Sequence, residues 1–328
     1  MSFLETKKPY LHFAAALIFI GAAVAVSFMV GKYPLELGLI FKDDMQARIF
    51  FTLRLPRTMM ALLAGFSLGI AGSIFQQVFK NPLASPDIIG ISSGCSTGAA
   101  IAILFLGGSA SVIVFCSFLG GVIALFAAFM LSLFSNQRGL FGVVLSGIAI
   151  NAFTQAVLML LKLNADPERH LASIEFWTMG SFADITADKF LSTLPFACAA
   201  LLGIVLLQRP LLMLQLDDTD AQMLGVPVNV MRWTILLLAT LLTGSIISMV
   251  GLISFIGLLA PHISALITRS SRFSSVIFAG LVGGCLLLVA DILARSIGNS
   301  EVPVSIITSF VGAPFLFLLM CRKGGNAV

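Results

Sequence analysis

Apolar runs of about 20 residues, separated by short polar breaks, recur from one end of this 328-residue chain to the other. About 20 apolar residues are what a helix needs to cross a bilayer core. Inside lipid every backbone polar group must be satisfied within its own segment, so the runs predict helices. Ten spans are expected, at about 11–30, 58–79, 90–107, 112–134, 141–163, 190–207, 230–249, 252–268, 275–295 and 304–321. The break near Val250–Gly251 divides one long run into two of them. A β-barrel would show short alternating strands instead, and the sequence has none. The first run, behind Lys7 and Lys8, extends from Leu11 to Val30. That is longer than the apolar part of a signal peptide and reads as an uncleaved helix.

Glycines mark helix faces. Gly90, Gly94 and Gly98 fall every fourth residue, and Gly65/Gly69 and Gly280/Gly284 repeat the spacing. Small residues at this interval let helices approach closely in lipid. Three connections exceed a turn: Gly31 to Arg57, Asn164 to Lys189 with a short helix near Ile174–Gly180, and Gln208 to Asn229. With no low-complexity linker, residues 1–328 read as a single transmembrane domain. An even span count puts both termini on one side, and the pairs Lys7, Lys8 and Arg322, Lys323 assign that side to the cytoplasm.

Composition agrees with a lipid-facing chain: 59% of residues are hydrophobic and only 10% are charged, against roughly 25% charged in a soluble domain. A net charge of +4 without a basic stripe argues against nucleic-acid binding. The five cysteines are dispersed and form no CxxC pair, so neither a metal site nor a disulfide framework is indicated. No lysine precedes serine or threonine, which excludes a P-loop. Gly94-Cys95-Ser96-Thr97-Gly98 matches the nucleophile-elbow pattern, but it opens an apolar helix rather than joining a strand to one. Polar residues inside spans are few and include Gln76, Gln77, Asn151, Gln155, His262 and Asp291. An ion-coupled secondary transporter, the alternative mechanism, would need intramembrane carboxylates or broken helices around an ion site.

One stretch breaks the pattern. Leu214-Gln-Leu-Asp-Asp-Thr-Asp-Ala-Gln-Met-Leu-Gly-Val226 carries three aspartates within four positions between two apolar runs. Asp217 or Asp218 suits a helix start. Gly225 with Pro227 behind it suits a stop.

Several motifs together resemble the permease subunits of the FecCD family, the type II ABC importers of iron–siderophore, haem and cobalamin. They are Arg54-Leu55-Pro56-Arg57; Gln77 with Asn81-Pro82-Leu83-Ala84-x-Pro86 and Gly90; and the acidic stretch ending Leu224-Gly225. Further along come Phe255-Ile256-Gly257-Leu258-x-x-Pro261-His262, Ala290-Asp291-x-x-Ala294-Arg295, Val302-Pro303-Val304 and Gly312-Ala313-Pro314-Phe315. They cover residues 50–320 in family order. One departure is Ala265, where the family usually has arginine; Arg269, one turn on, is the candidate substitute.

The resemblance implies an all-α integral membrane fold of about ten helices, with helices 2–5 and 7–10 related by inverted repetition. It implies a permease rather than an enzyme, in the bacterial cell (inner) membrane, working by alternating access. Its partners would be a second permease, identical or paralogous, and two cytoplasmic ATPases that bind the ATP and Mg this chain does not. A periplasmic or lipid-anchored substrate-binding protein would deliver the cargo: an iron–siderophore complex, with haem or cobalamin as alternatives.

The same resemblance assigns roles to residues. The cytoplasmic coupling region is 209–228, with Leu216, Asp217, Asp218, Asp220, Ala221, Leu224 and Gly225 as the handle for the ATPase. Leu214, Leu216, Ala221, Leu224 and Val226 supply apolar contacts there, while the aspartates stay wet or pair with partner bases. Arg54, Arg57 and Arg295 are the outward charges that meet acidic residues on the binding protein, a role the guanidinium fork suits. The resemblance has the fifth and tenth spans line the pathway, with the segment near Ile174–Gly180 as a gate; on the fifth span the polar Asn151 and Gln155 and the Gly147 side are our candidates for the lining.

Overall fold

The computed structural model describes residues 9–31, 43–134, 140–270, 272–297 and 301–323, and these hold helices and no strand. In chain order the α-helices are α1 (Pro9–Met29), α2 (Asp44–Arg48), α3 (Leu55–Val78), α4 (Ile91–Phe105), α5 (Ala110–Phe134), α6 (Leu140–Leu163) and α7 (Ala172–Thr178). They continue with α8 (Ala187–Leu206), α9 (Gln208–Met213), α10 (Asp218–Met223), α11 (Val228–Val250), α12 (Ile256–Thr268), α13 (Phe273–Ser296) and α14 (Val304–Lys323). Seven helical stretches among the described residues are long and apolar enough to cross a membrane, and α4, α12 and Val304–Leu318 are shorter apolar helices. Lys7 and Lys8, used above to orient the chain, lie outside the described residues.

Two boundaries differ from the pattern, each for a local reason. The second span was expected from residue 58, but helix is continuous from Asp44 to Val78. Asp43 starts it by accepting a hydrogen bond from the Met45 amide at 2.9 Å. Between α2 and α3, Ile49–Arg54 forms wide π-turns, in which the Leu55 amide reaches back to the Phe50 carbonyl. Proline has no amide to give the turn before it, and the wider turns carry the chain through Pro56 without ending the helix. The second difference follows α11. Gly251 adopts φ 78°, ψ −169°, a conformation closed to side-chain-bearing residues, and ends that helix. An extended link carries the chain to Ile256, so α12 starts there rather than at 252.

The described residues fall into two compact units, Met1–Gly69 with Ser181–Phe190 and Ile253–Val328, and Ile70–Gly180 with Leu191–Leu252. In the first unit, α3 and α13 meet backbone to backbone. A Cβ on Gly65 would lie 2.2 Å from the Gly283 carbonyl oxygen, and one on Gly69 would lie 2.3 Å from that of Ala279. Beside them Ala260, Phe278 and Val282 form an apolar cluster, with Phe13 of α1 set edge-on to Phe278 at 5.2 Å.

The second unit repeats the device between α4 and α5. Gly98 would meet the Cys116 carbonyl at 2.1 Å, and Gly120 that of Gly94 at 2.3 Å. Gly90, expected on the same helical stripe, instead adopts φ 82° and closes the 3-10 turn Pro86–Ile89 before α4 begins. Ile103, Leu158 and Ile174 pack α4, α6 and α7 into one core. Hydroxyls fasten α4 to α6: Ser93 and Thr154 lie 2.6 Å apart, and Thr97 donates to the Thr154 carbonyl at 3.1 Å.

Candidate functional site

In the first unit, the three arginines of the RLPR and ADxxAR motifs gather at the end of α1. The last carbonyls of a helix have no partner within it. Here guanidiniums supply one. Arg54 donates to the Phe28 carbonyl, and Arg295 donates to the Ser27 and Val30 carbonyls, each at 3.3 Å, and to Ser27 Oγ at 2.7 Å. Positive charge at a helix C-terminus also favours the macrodipole.

Arg57 faces two carboxylates. Its Nη2 lies 2.9 Å from Asp291 Oδ1, and its Nη1 donates to both oxygens of Glu301 at 3.0 and 2.9 Å. Asp291 has no solvent exposure and also pairs with Arg295, one turn along, at 3.1 Å. Arg57 and Arg295 thus share Asp291, and Arg57 also holds Glu301. Arg54 and Arg57 are buried, the Arg295 side chain is 6% exposed, and all three are internally engaged rather than freely projecting. The i,i+4 partnership of Asp291 and Arg295 was readable from spacing. The Arg57–Asp291 pair and the part played by Glu301 were missed; an acidic residue directly before Val302-Pro303 was the available signal.

The second unit holds the acidic stretch. α10 is closed at its C-terminus by paired reverse-turn bonds: the Gly225 amide donates to the Gln222 carbonyl at 2.9 Å, and that of Val226 to Ala221 at 3.1 Å. Gly225 at φ 82° makes this turn without strain. At the other end Asp217 occupies the N-cap position, but its side chain makes no capping bond. It turns instead toward Lys80, 3.6 Å away.

The apolar residues divide into two sets. Leu214, Ala221 and Val226 are buried and seat the helix, while Leu216 and Leu224 are exposed, as is Met223 at 86%. Met223 was missed; its place one residue before Leu224 was the clue. The aspartates divide as well. Asp220 is exposed, whereas Asp218 accepts two hydrogen bonds from Arg232 Nη2 at 2.8 and 3.0 Å. Nearby, Gln215 donates to Gln77 at 3.0 Å, and Gln77 donates to Ser73 at 3.1 Å.

Of the three α6 positions, Gly147 is a packing contact. A Cβ there would lie 2.8 Å from the Ile88 carbonyl oxygen. Asn151 is half-buried against Gly90, and Gln155 is exposed. The segment that begins near Ile174 is α7, preceded by π-turns over Pro167–Leu171. Glu175 on α7 pairs with Lys162 of α6 at 2.9 Å. Ala265 is exposed on α12, and Arg269 is the exposed left-handed residue that ends that helix.

Ser96 lies buried inside α4 and donates to the Ser92 carbonyl at 2.9 Å, so it is not presented on a turn as a nucleophile must be. Among the described residues no group of three His, Cys, Asp or Glu side chains could hold a metal ion.

The profile of the FecCD transport family matches residues 17–322. The molybdate import system permease of Haemophilus influenzae is 33% identical over 97% of this chain and 97% of its own length. The iron(3+)-hydroxamate import system permease of Bacillus subtilis is also 33% identical, over 96% of this chain and 98% of its own. A solved structure described as an inward-facing conformation of a metal-chelate type ABC transporter superposes with a TM-score of 0.88 at 32% identity. That superposition covers 96% of this chain and 99% of the solved one.

Proposed function

This chain belongs to the FecCD transport family, as a multi-pass permease subunit of an ABC importer with the type II fold, and on that premise we propose that it imports an iron–siderophore complex. The near full-length likeness to a metal-chelate type transporter carries the reading, and the likeness to an iron-hydroxamate permease supports it. In this reading the chain works with a second permease, identical or paralogous, in the inner membrane with both termini cytoplasmic. Two cytoplasmic ATPases bring ATP and Mg. A substrate-binding protein hands over the cargo, and the pathway passes it inward by alternating access.

The two clusters support this division of labour. α10 offers the ATPase an apolar knob of Leu216, Met223 and Leu224 beside Asp217 and Asp220. The clustered guanidiniums of Arg54, Arg57 and Arg295 suit an acidic lobe of the binding protein, and Glu301, still 30% exposed, marks the edge at which it would arrive. Charge complementarity of this kind governs encounter rate and orientation more than affinity.

Molybdate is a second reading, favoured by the full-length match to a molybdate permease. One experiment separates the cargoes and the mechanism. The permease is reconstituted in vesicles with its partner ATPase and binding protein, and uptake of radiolabelled ferric hydroxamate and of molybdate is compared. ATP-dependent uptake of the ferric complex is the expected result. Uptake of molybdate alone would overturn the cargo, and uptake without the ATPase would overturn the mechanism in favour of ion coupling.

A further inference from the structure

Arg232 is 1% exposed and is among the largest fully buried side chains in the described protein. A buried charge is tolerated only when it is paired, and among the described residues its ion-pair partner is Asp218, the first residue of α10. We propose that the Asp218–Arg232 pair is the joint through which α10 moves α11, and that Asp218 is a positioning residue rather than a contact for the ATPase. This rests on the reading of α10 as the ATPase handle.

Three further features converge on the same end of α10. Lys80, in a left-handed conformation with φ 49° just beyond α3, brings its ammonium to 3.6 Å from Asp217 and 3.9 Å from Asp218. Gln215, just ahead of α10, is tied to Gln77 of α3. Arg232 Nε is buried with no partner. Native structures seldom leave such a donor dry. A guanidinium with a spare buried donor can take a further acceptor in a second arrangement, as a joint between two packed states requires.

The geometry explains why the link is ionic. The contacts of Ala221 and Val226 are apolar and non-directional, so they seat α10 without fixing its direction. One guanidinium nitrogen shared between both oxygens of Asp218 does fix it. The helix is short and closed at its C-terminus, so a push on Leu216, Met223 or Leu224 arrives as a displacement of Asp218. From there it passes to α11 through Arg232 and to the end of α3 through Lys80. Both oxygens of Asp218 are committed to Arg232, and losing them would strip the counter-charge from a buried arginine.

The test uses the permease assembled with its ATPases and binding protein in vesicles. It reads ATPase affinity for the permease, ATP hydrolysis, and cargo moved per ATP. Asp218→Asn should leave affinity and hydrolysis as in the wild type and lower cargo per ATP by about five-fold or more, the scale of a lost coupling; Asp218→Glu should restore it. The paired change Asp218→Asn/Arg232→Met removes the buried charge together with its partner, so it assembles even if the single variant does not, and it should uncouple equally. Met223→Ser should instead weaken ATPase affinity by about tenfold, as loss of an anchor does. The inference is overturned if Asp218→Asn weakens affinity as Met223→Ser does, or if the paired variant transports at wild-type cargo per ATP. Wild-type affinity in both Met223→Ser and Leu224→Ser would instead overturn the reading of α10 as the handle.

Discussion

Arg57 and Asp291 close an ion pair at 2.9 Å in which the carboxylate is wholly shielded from solvent. The pair joins α3 to α13, and through Arg295 the same carboxylate is linked to the end of α1. Removing one member of a buried pair leaves a charge uncompensated and costs about 3–5 kcal/mol, whereas replacing both with apolar residues is often close to neutral. Asp291→Ala, which strands both Arg57 and Arg295, should therefore lower the thermal unfolding temperature in detergent much more than Arg57→Met/Asp291→Leu/Arg295→Met does. Equal losses would show that Asp291 acts through something other than this pairing.

Glu301 holds Arg57 Nη1 with both carboxylate oxygens, the geometry an incoming acidic side chain would use. Glu301→Gln weakens that hold and makes the cluster more positive. If the proposed binding protein docks here through acidic side chains, its capture should tighten by about five-fold at low salt and converge on the wild type at high salt, as screened charges do. Arg54→Glu should act in the opposite sense. Surface plasmon resonance across a salt series reads both, and salt-independent affinities in the two variants would exclude electrostatic docking here.

Glycine contacts set the helix spacing, and their cost is position-specific. A side chain at Gly65 would drive a Cβ to 2.2 Å from the Gly283 carbonyl oxygen, while Gly21 on α1 has nothing within 4 Å. Overpacking costs roughly 1–3 kcal/mol. Gly65→Val should lower the unfolding temperature and the monodisperse fraction on size exclusion, and Gly21→Val should leave both unchanged.

The helices were legible because lipid imposes a length and a composition that the chain cannot disguise. The segment from Asp44 to Arg57 was not, since its charges read as a loop; a capped start and π-turns carry the helix through them. The glycine stripe on α13 pointed to Gly284, but the closest approach is at Gly283, because a stripe gives a face and not the register of its partner. Arg54, Arg57 and Arg295 were found by motif. Their pairing was not, because Arg57 and Asp291 are 234 residues apart and no local period connects them. The burial of Arg232 was hidden although Asp218 lies near it in sequence: at a helix start an arginine reads as a solvated residue until the acid that neutralises it is located.

Gly180 and Gly251 make the contact that fixes the end of α7. A Cβ at Gly180 would lie 2.0 Å from the Leu252 carbonyl oxygen, and one at Gly251 would lie 2.2 Å from that of Trp177. Both glycines also have positive φ, 67° and 78°. Gly180→Ala therefore meets backbone strain and a backbone clash together, and a carbonyl cannot swing aside as a side-chain tip can. Gly107 supplies the control, with φ 76° and nothing within 4 Å of its Cβ position, so Gly107→Ala meets the strain alone, about 1–2 kcal/mol. The excess loss in Gly180→Ala, by roughly a further 1–3 kcal/mol, measures the contact itself. Displacing α7 should also strain the Lys162–Glu175 pair and the seat of Ile174. If α7 gates the pathway, Gly180→Ala should depress uptake while ATPase binding stays at the wild-type level, and Gly107→Ala should transport normally. Equal unfolding temperatures and equal uptake in the two variants would remove both the contact and the gate.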